Sequence, residues 1–182
     1  KEQVGPKYRA VQGDYLDYED VLEKFEAMMD WLAELYVNTL NVIHYMHDKY
    51  SYEKLQMALH DRDVKRYFAT GIAGLSIVAD SLSAIKYAKV KCIRDENGIV
   101  TDYEIEGDFP KYGNNDDFVD KYAIWFLDYL GALFENYKTR DGGGIYIAAA
   151  ANTSNIYAGR SIGATPDGRK RGEPLSDAAS PS

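Results

Sequence analysis

The sequence predicts an α/β domain that is mostly helical and carries one β-hairpin. Two observations predict it. Apolar residues recur at helical spacing over two long windows, 17–48 and 116–137, and an Asn97-Gly98 pair separates two short β-rich runs. A third observation marks the limit of that class: the order helix, helix, hairpin, helix, strand, loop does not close into a self-contained sheet.

Each element has a local cause. Residues 1–16 read as an extended lead-in. Asp17 is placed as N-cap of a long helix, with Glu19 and Asp20 in its first turn, where carboxylates meet the positive end of the macrodipole. Val21, Leu22, Phe25, Met28, Met29, Leu32, Leu35, Tyr36, Leu40 and Ile43 form its apolar stripe, and Asp48-Lys49 ends it. Ser51 is the expected cap of a short second helix reaching about Leu59. Gly71 and Gly74 argue against helix between them, so a loop or short strand is expected there, followed by a helix from about Ile77 to Ala88. Val90 to Arg94 and Ile99 to Ile105 then flank Asn97-Gly98, for which a type I′ turn is expected. Asn115 or Asp116 caps a further helix ending near Tyr137, with Val119, Tyr122, Ile124, Leu127, Leu130 and Phe134 facing inward. Ile145 to Ala151 reads as a strand packed closely on both faces, because alanines follow β-branched residues. The run T-P-D-G-R-K-R-G-E-P is turn chemistry with a local basic cluster.

Composition narrows the function. With 46% apolar and 27% charged residues the chain can bury a core and remain soluble. A net charge of -8 lacks the basic face that nucleic-acid binding requires, so no nucleic-acid partner is expected. No apolar run approaches the roughly 20 residues that cross a bilayer, so no membrane partner is expected either. The single cysteine, Cys92, excludes an internal disulfide and fits a reducing, cytoplasmic setting. The chain opens on K-E-Q-V-G-P-K and closes on D-A-A-S-P-S, and neither end resembles a finished terminus.

Candidate chemistry is sparse. His44 and His47 share a helix face, and a metal site there would need Asp48 or Asp61 beside them. The plainer reading is helix-end histidines that hydrogen-bond and favour the C-terminal dipole. Cys92, between Lys91 and Arg94, would be nucleophilic only if those cations lowered its pKa. Gly142-Gly143-Gly144 precedes a strand, whereas a phosphate-cradling loop runs from strand to helix, so a flexible connection is the better reading. Arg169, Lys170 and Arg171 offer an anion site or, more simply, a solvated or ion-paired corner. Tyr45, Tyr50 and Tyr52 are read as packing at a helix junction.

Three stretches carry a resemblance: L-N-V-I-H-Y-M-H-D-K-Y-S-Y-E (40–53) with A-L-H-D-R-D-V (58–64), G-I-A-G-L-S-I-V-A-D-S-L-S-A-I-K-Y-A-K-V-K-C-I-R-D-E-N-G (71–98), and E-I-E-G-D-F-P-K-Y-G-N-N-D (104–116). They resemble pyruvate formate-lyase, of the glycyl radical enzymes. From Asp117 the closeness falls, and 163–182 looks more like the wider family, including its dehydratase and lyase branches. The resemblance implies that residues 1–182 are an internal segment of a ten-stranded α/β barrel. It also implies a glycyl radical, installed by a separate radical-SAM activating enzyme in an R-V-S-G-Y motif. The radical passes to a cysteine loop, coenzyme A is the co-substrate, and the full-length protein is a homodimer. Neither motif is in this chain, and Cys92 does not match the radical-carrying cysteine, so no catalytic residue and no cofactor are assigned to the segment itself. Its expected partners are the remainder of the barrel and the activating enzyme. His60, in A-L-H-D-R-D, is the one polar candidate, either behind the reacting groups or on the coenzyme A side, against the favoured reading of a purely structural histidine. The alternatives are another branch of the family, or a non-catalytic relative acting as a binding or scaffold module.

Overall fold

The computed structural model describes residues 5–7, 9–50, 67–140, 142–148, 154–176 and 180–181. In chain order the elements are α1 (Tyr18–Lys49), β1 (Tyr67–Gly71), α2 (Leu75–Tyr87), β2 (Lys89–Arg94), β3 (Val100–Glu106), α3 (Asp117–Glu135), β4 (Gly144–Ala148) and α4 (Asn155–Ser161). The short helix expected over residues 51–59 lies outside the described residues, as does His60.

Helix α1 begins where its chemistry dictates. The Asp17 carboxylate accepts the Asp20 amide at 2.9 Å, Glu19 and Asp20 occupy the first turn, and His47 and Lys49 the last. The face turned to the core carries Leu22, Phe25, Met29 and Tyr36, with Ala33 and Val37 buried at its centre. The apolar stripe is wider than this core, however: Leu32, Leu35 and Ile43 are exposed.

Helix α3 lies against α1 and α2 and closes the main core. Asp116, not Asn115, is its cap, accepting the Phe118 amide at 2.9 Å. Its buried positions are Val119, Tyr122, Ala123, Phe126, Leu130, Leu133 and Phe134, a clean series of three- and four-residue steps. Ile124, expected on that face, falls off the series and is exposed. Aromatic pairs bind α1 to α3, with ring centroids 5.7 Å apart for Phe25 and Phe126 and 6.1 Å for Tyr36 and Phe134. Two α3-side hydroxyls tie the helices further, Tyr129 donating to the Glu26 carbonyl and Tyr137 to the Asp30 carbonyl.

Helix α2 starts at Leu75, two residues before the position predicted, because Gly74 takes a left-handed φ of 87° at its N-cap. Glycine meets that angle without the Cβ clash another residue would suffer. It is the most enclosed helix, with Ala79, Ser83 and Ala84 inaccessible to solvent. Its buried polar groups hold the chain after the hairpin: the Asp80 carboxylate accepts the Tyr112 amide at 2.7 Å, and the Ser83 hydroxyl donates to the Pro110 carbonyl at 2.7 Å.

The strands form two separate pairs among the described residues. β1 and β4 are parallel, in register from Tyr67 opposite Gly144 to Gly71 opposite Ala148. β2 and β3 form the expected hairpin. On the other side of β2, the lead-in adds the bonds Leu16 amide to Val90 carbonyl (2.9 Å) and Cys92 amide to Asp14 carbonyl (2.7 Å).

Two expectations about strands are corrected. The hairpin turn is not type I′, since Gly98 has positive φ (77°) but Asn97 does not. Asp95 explains it. Its carboxylate accepts the amides of Asn97 and Ile99, each at 2.9 Å, while the Gly98 amide bonds to the Asp95 carbonyl at 3.0 Å. The result is a three-residue loop with glycine in the left-handed position. The strand β4 is not packed on both faces either. Ile145 and Ile147 pack toward the helical core, but Tyr146 points away and is exposed.

Candidate functional site

The end of α1, the connection from α3 to β4 and the start of β1 meet around the sequence-predicted histidines. The His44 ring lies 5.4 Å from the Phe68 ring and 6.5 Å from that of His47. Asn41 grips the connection twice, accepting the Arg140 amide at 2.8 Å and donating to the Lys138 carbonyl at 3.1 Å. The Arg140 guanidinium pairs with Asp48 and sits 5.4 Å from the centre of the Tyr45 ring. The cavity lined by Asn41, His44, Phe68 and Arg140 has a volume of only about 20 Å³. That is room for about one water, not for a nucleotide-bearing substrate.

This junction is therefore a clamp. Of the two carboxylates a metal site could draw on, Asp48 pairs with Arg140, and Asp61 lies outside the described residues. Among the described residues no group of three or more His, Cys, Asp or Glu side chains is arranged to hold a metal ion. The glycine run acts as a connection: Gly142, at φ 69°, bonds to the Thr139 carbonyl, and the Thr139 hydroxyl donates to the Gly143 carbonyl at 2.7 Å. Asn41 and Arg140 were missed from sequence. No spacing signal marked Asn41, because its helix face also carries Asn38, His44 and Asp48.

Cys92 is buried in β2, and burial raises its thiol pKa more than Arg94 lowers it. A thiol so placed stays protonated and is a poor nucleophile. The basic cluster resolves residue by residue. Arg169 is an organiser of its own loop, donating to the carbonyls of Glu173 (2.7 Å), Lys170 (3.2 Å) and Gly163 and to the Thr165 hydroxyl (3.2 Å). Lys170 reaches β3, donating to both Asp102 carboxylate oxygens at 2.9 Å and to the Tyr103 carbonyl at 3.3 Å. That contact holds the Asp102 carboxyl below the ordinary carboxylate range. The ion-paired corner is the reading that fits.

The same loop docks on α4 and α2. Asn155 exchanges two bonds with Leu175, Ser76 bonds to Ser176, and Gly159 lies so close that an added Cβ would meet the Glu173 carbonyl oxygen at 2.2 Å. Elsewhere, Lys121 bonds to the Tyr87 hydroxyl at 2.9 Å and lowers its pKa, while burial raises those of Tyr18 and Tyr122.

No described cluster pairs a nucleophile with a base. What the arrangement defines is a class: an α/β building block whose polar side chains organise loops. The profile of the pyruvate formate lyase-like family matches residues 1–159, and the chain belongs to that family. It is 51% identical over 181 residues to formate acetyltransferase 1 of Escherichia coli (strain K12), an alignment covering 100% of this chain and 24% of that protein. That alignment takes in the last third of the chain as well. Two solved structures share the fold, each covered over 24% of its length by 88% of this chain. One is from Roseburia inulinivorans and concerns 1,2-propanediol dehydration (TM-score 0.68, 26% identity). The other is hydroxyproline dehydratase from Clostridioides difficile with trans-4-hydroxy-L-proline bound (TM-score 0.63, 21% identity). The α/β fold is accordingly a segment of the glycyl radical enzyme type. Among the described residues no helix is long and apolar enough to cross a membrane.

Proposed function

We propose that this chain is an internal building block of a formate C-acetyltransferase, which converts pyruvate and coenzyme A to acetyl-coenzyme A and formate by radical chemistry in the cytoplasm. The observation that carries the reading is the 51% identity to formate acetyltransferase 1, running over 181 residues. The dehydratase structures match with about half that identity, which ranks the acetyltransferase reading above a dehydratase one.

The segment's own role is positional. Its helical layer supports the β1–β4 pair, and its loop clamps set where the chain enters and leaves that pair. The radical glycine, the cysteine loop and the second copy of a homodimer are contributed by the assembled enzyme, and an activating enzyme installs the radical. His60 is assigned to the coenzyme A side on the strength of A-L-H-D-R-D alone.

The test is reassembly. This chain is combined anaerobically with the remaining segments of the Escherichia coli relative and an activating enzyme, then supplied with pyruvate and coenzyme A. A glycyl radical signal by EPR together with formate release is the expected outcome. A radical signal without formate from pyruvate would overturn the substrate assignment, and failure to associate would overturn the building-block role. In the active assembly, His60→Ala is expected to raise KM for coenzyme A while leaving KM for pyruvate unchanged.

A further inference from the structure

The tip of the β2–β3 hairpin carries chemistry that the building-block role does not use. Asn97-Gly98 is the one Asn-Gly pair in the sequence, and residues 95–99 are all exposed. A side-chain amide followed by glycine is open to attack by the next backbone nitrogen, because glycine has no Cβ to obstruct the approach or restrict the rotation it needs. An added Cβ at Gly98 would have no neighbour within 4 Å, so nothing packs over the site of attack.

We propose that Asn97 is a site of spontaneous deamidation and isoaspartate formation, and that Asp95 sets its rate. The deprotonated Gly98 nitrogen attacks Asn97 Cγ, the Cγ–Nδ2 bond breaks, and ammonia leaves carrying the proton. This gives a cyclic succinimide. Water then opens either carbonyl, yielding aspartate or isoaspartate at position 97, with no oxidant or reductant required.

The loop geometry supplies a brake. The Gly98 nitrogen donates to the Asp95 carbonyl at 3.0 Å, and the Asp95 carboxylate pins the amides of Asn97 and Ile99 at 2.9 Å each. The nitrogen is free to attack only when this set of bonds opens. The reaction, once complete, removes the brake. A new carboxylate follows Asp95 and Glu96 directly, and three adjacent negative charges repel. In isoaspartate the main chain also runs through the side-chain carbon, which lengthens the loop and breaks its register.

The test uses the intact chain, incubated in mildly alkaline buffer and sampled over time. Tryptic peptides are followed by mass spectrometry, and isoaspartate is assayed with a protein isoaspartyl methyltransferase. Asn97 is expected to convert several-fold faster than Asn114 or Asn136. Gly98→Ala should slow conversion several-fold, and Asp95→Ala should accelerate it, with circular dichroism confirming that both variants remain folded. Conversion at Asn97 no faster than at Asn114, or unchanged in Gly98→Ala, overturns the site. An Asp95→Ala rate equal to or below that of the unmodified sequence overturns the brake.

Discussion

The three-helix layer and the β1–β4 pair have contrasting surroundings. In the helical layer Val119, Ala79 and Ala84 are fully buried and aromatic pairs span the interface. In the strand pair one side packs on helices while Tyr67 and Tyr146, with ring centroids 5.7 Å apart, stand at 64% and 56% exposure on the other. Parallel sheets are ordinarily covered on both faces. The difference teaches that, among the described residues, the helical layer packs against itself while the strand pair has only one covered face, in a chain that spans 24% of its relative's length.

The largest effect that would break this contrast concerns Phe126. It is buried among α1 and α3 side chains, so Phe126→Ala is expected to destabilise the chain by about 3–5 kcal/mol through lost burial and a residual cavity. The matching change on the uncovered sheet face, Tyr146→Ala, should fall within about 0.5 kcal/mol, as for ordinary surface positions. Denaturant unfolding measures both. Equal losses would mean that the sheet face is already covered in solution.

A smaller effect sharpens the boundary between the helical layer and the loop docked beside it. Gly159 of α4 faces the Glu173 carbonyl oxygen so closely that Gly159→Ala must push the 163–176 loop away from α4. Overpacking of this kind costs about 1–3 kcal/mol. Hydrogen exchange should show lost protection at Leu175, whose amide bonds to Asn155, with α1 and α3 unaffected. Loss spread across the helical layer would mean that the loop belongs to the core.

The helical layer was legible in the sequence because its signals are local. Asp17 caps α1 as read, and Val119, Tyr122, Leu130 and Phe134 lie on the inner face of α3. Ile124 was misplaced because the composition of α3 is apolar on more than one side, and only the packing partner decides which side is buried. The hairpin was legible but its turn was not: Asn-Gly favours type I′ intrinsically, and the Asp95 carboxylate overrides that preference with two bonds. The burial of β4 was overread at Tyr146, which an apolar run alone cannot assign to a covered or an open face, while residues 149–151 of the predicted strand lie outside the described residues. The site residues were hardest. Arg169 looked like one of three equivalent cations, yet it caps four groups of its own loop while Lys170 alone reaches Asp102. No spacing rule separates neighbours on a turn by the direction in which each points.

The smallest expected effect follows from that last contact. Lys170 depresses the Asp102 pKa chiefly by donating to the carboxylate, with the Tyr103 amide adding to it. A depressed folded-state pKa means that the contact contributes in full above the unfolded carboxylate value, about 3.9, and is lost as the pH falls through the lower folded value. Both side chains are largely solvent-exposed, so water screens the pair and the contribution is small. The loop from Gly163 to Glu173 should therefore stay docked on β3 through neutral and mildly acidic pH and loosen only in strong acid. Asp102→Asn should show the loosened state at every pH. Backbone amide shifts of Tyr103 and Lys170 followed across the titration report the change directly. If they instead moved near neutral pH, the group anchoring the loop would be something other than Asp102, and the boundary between the helical layer and its docked loop would have to be redrawn.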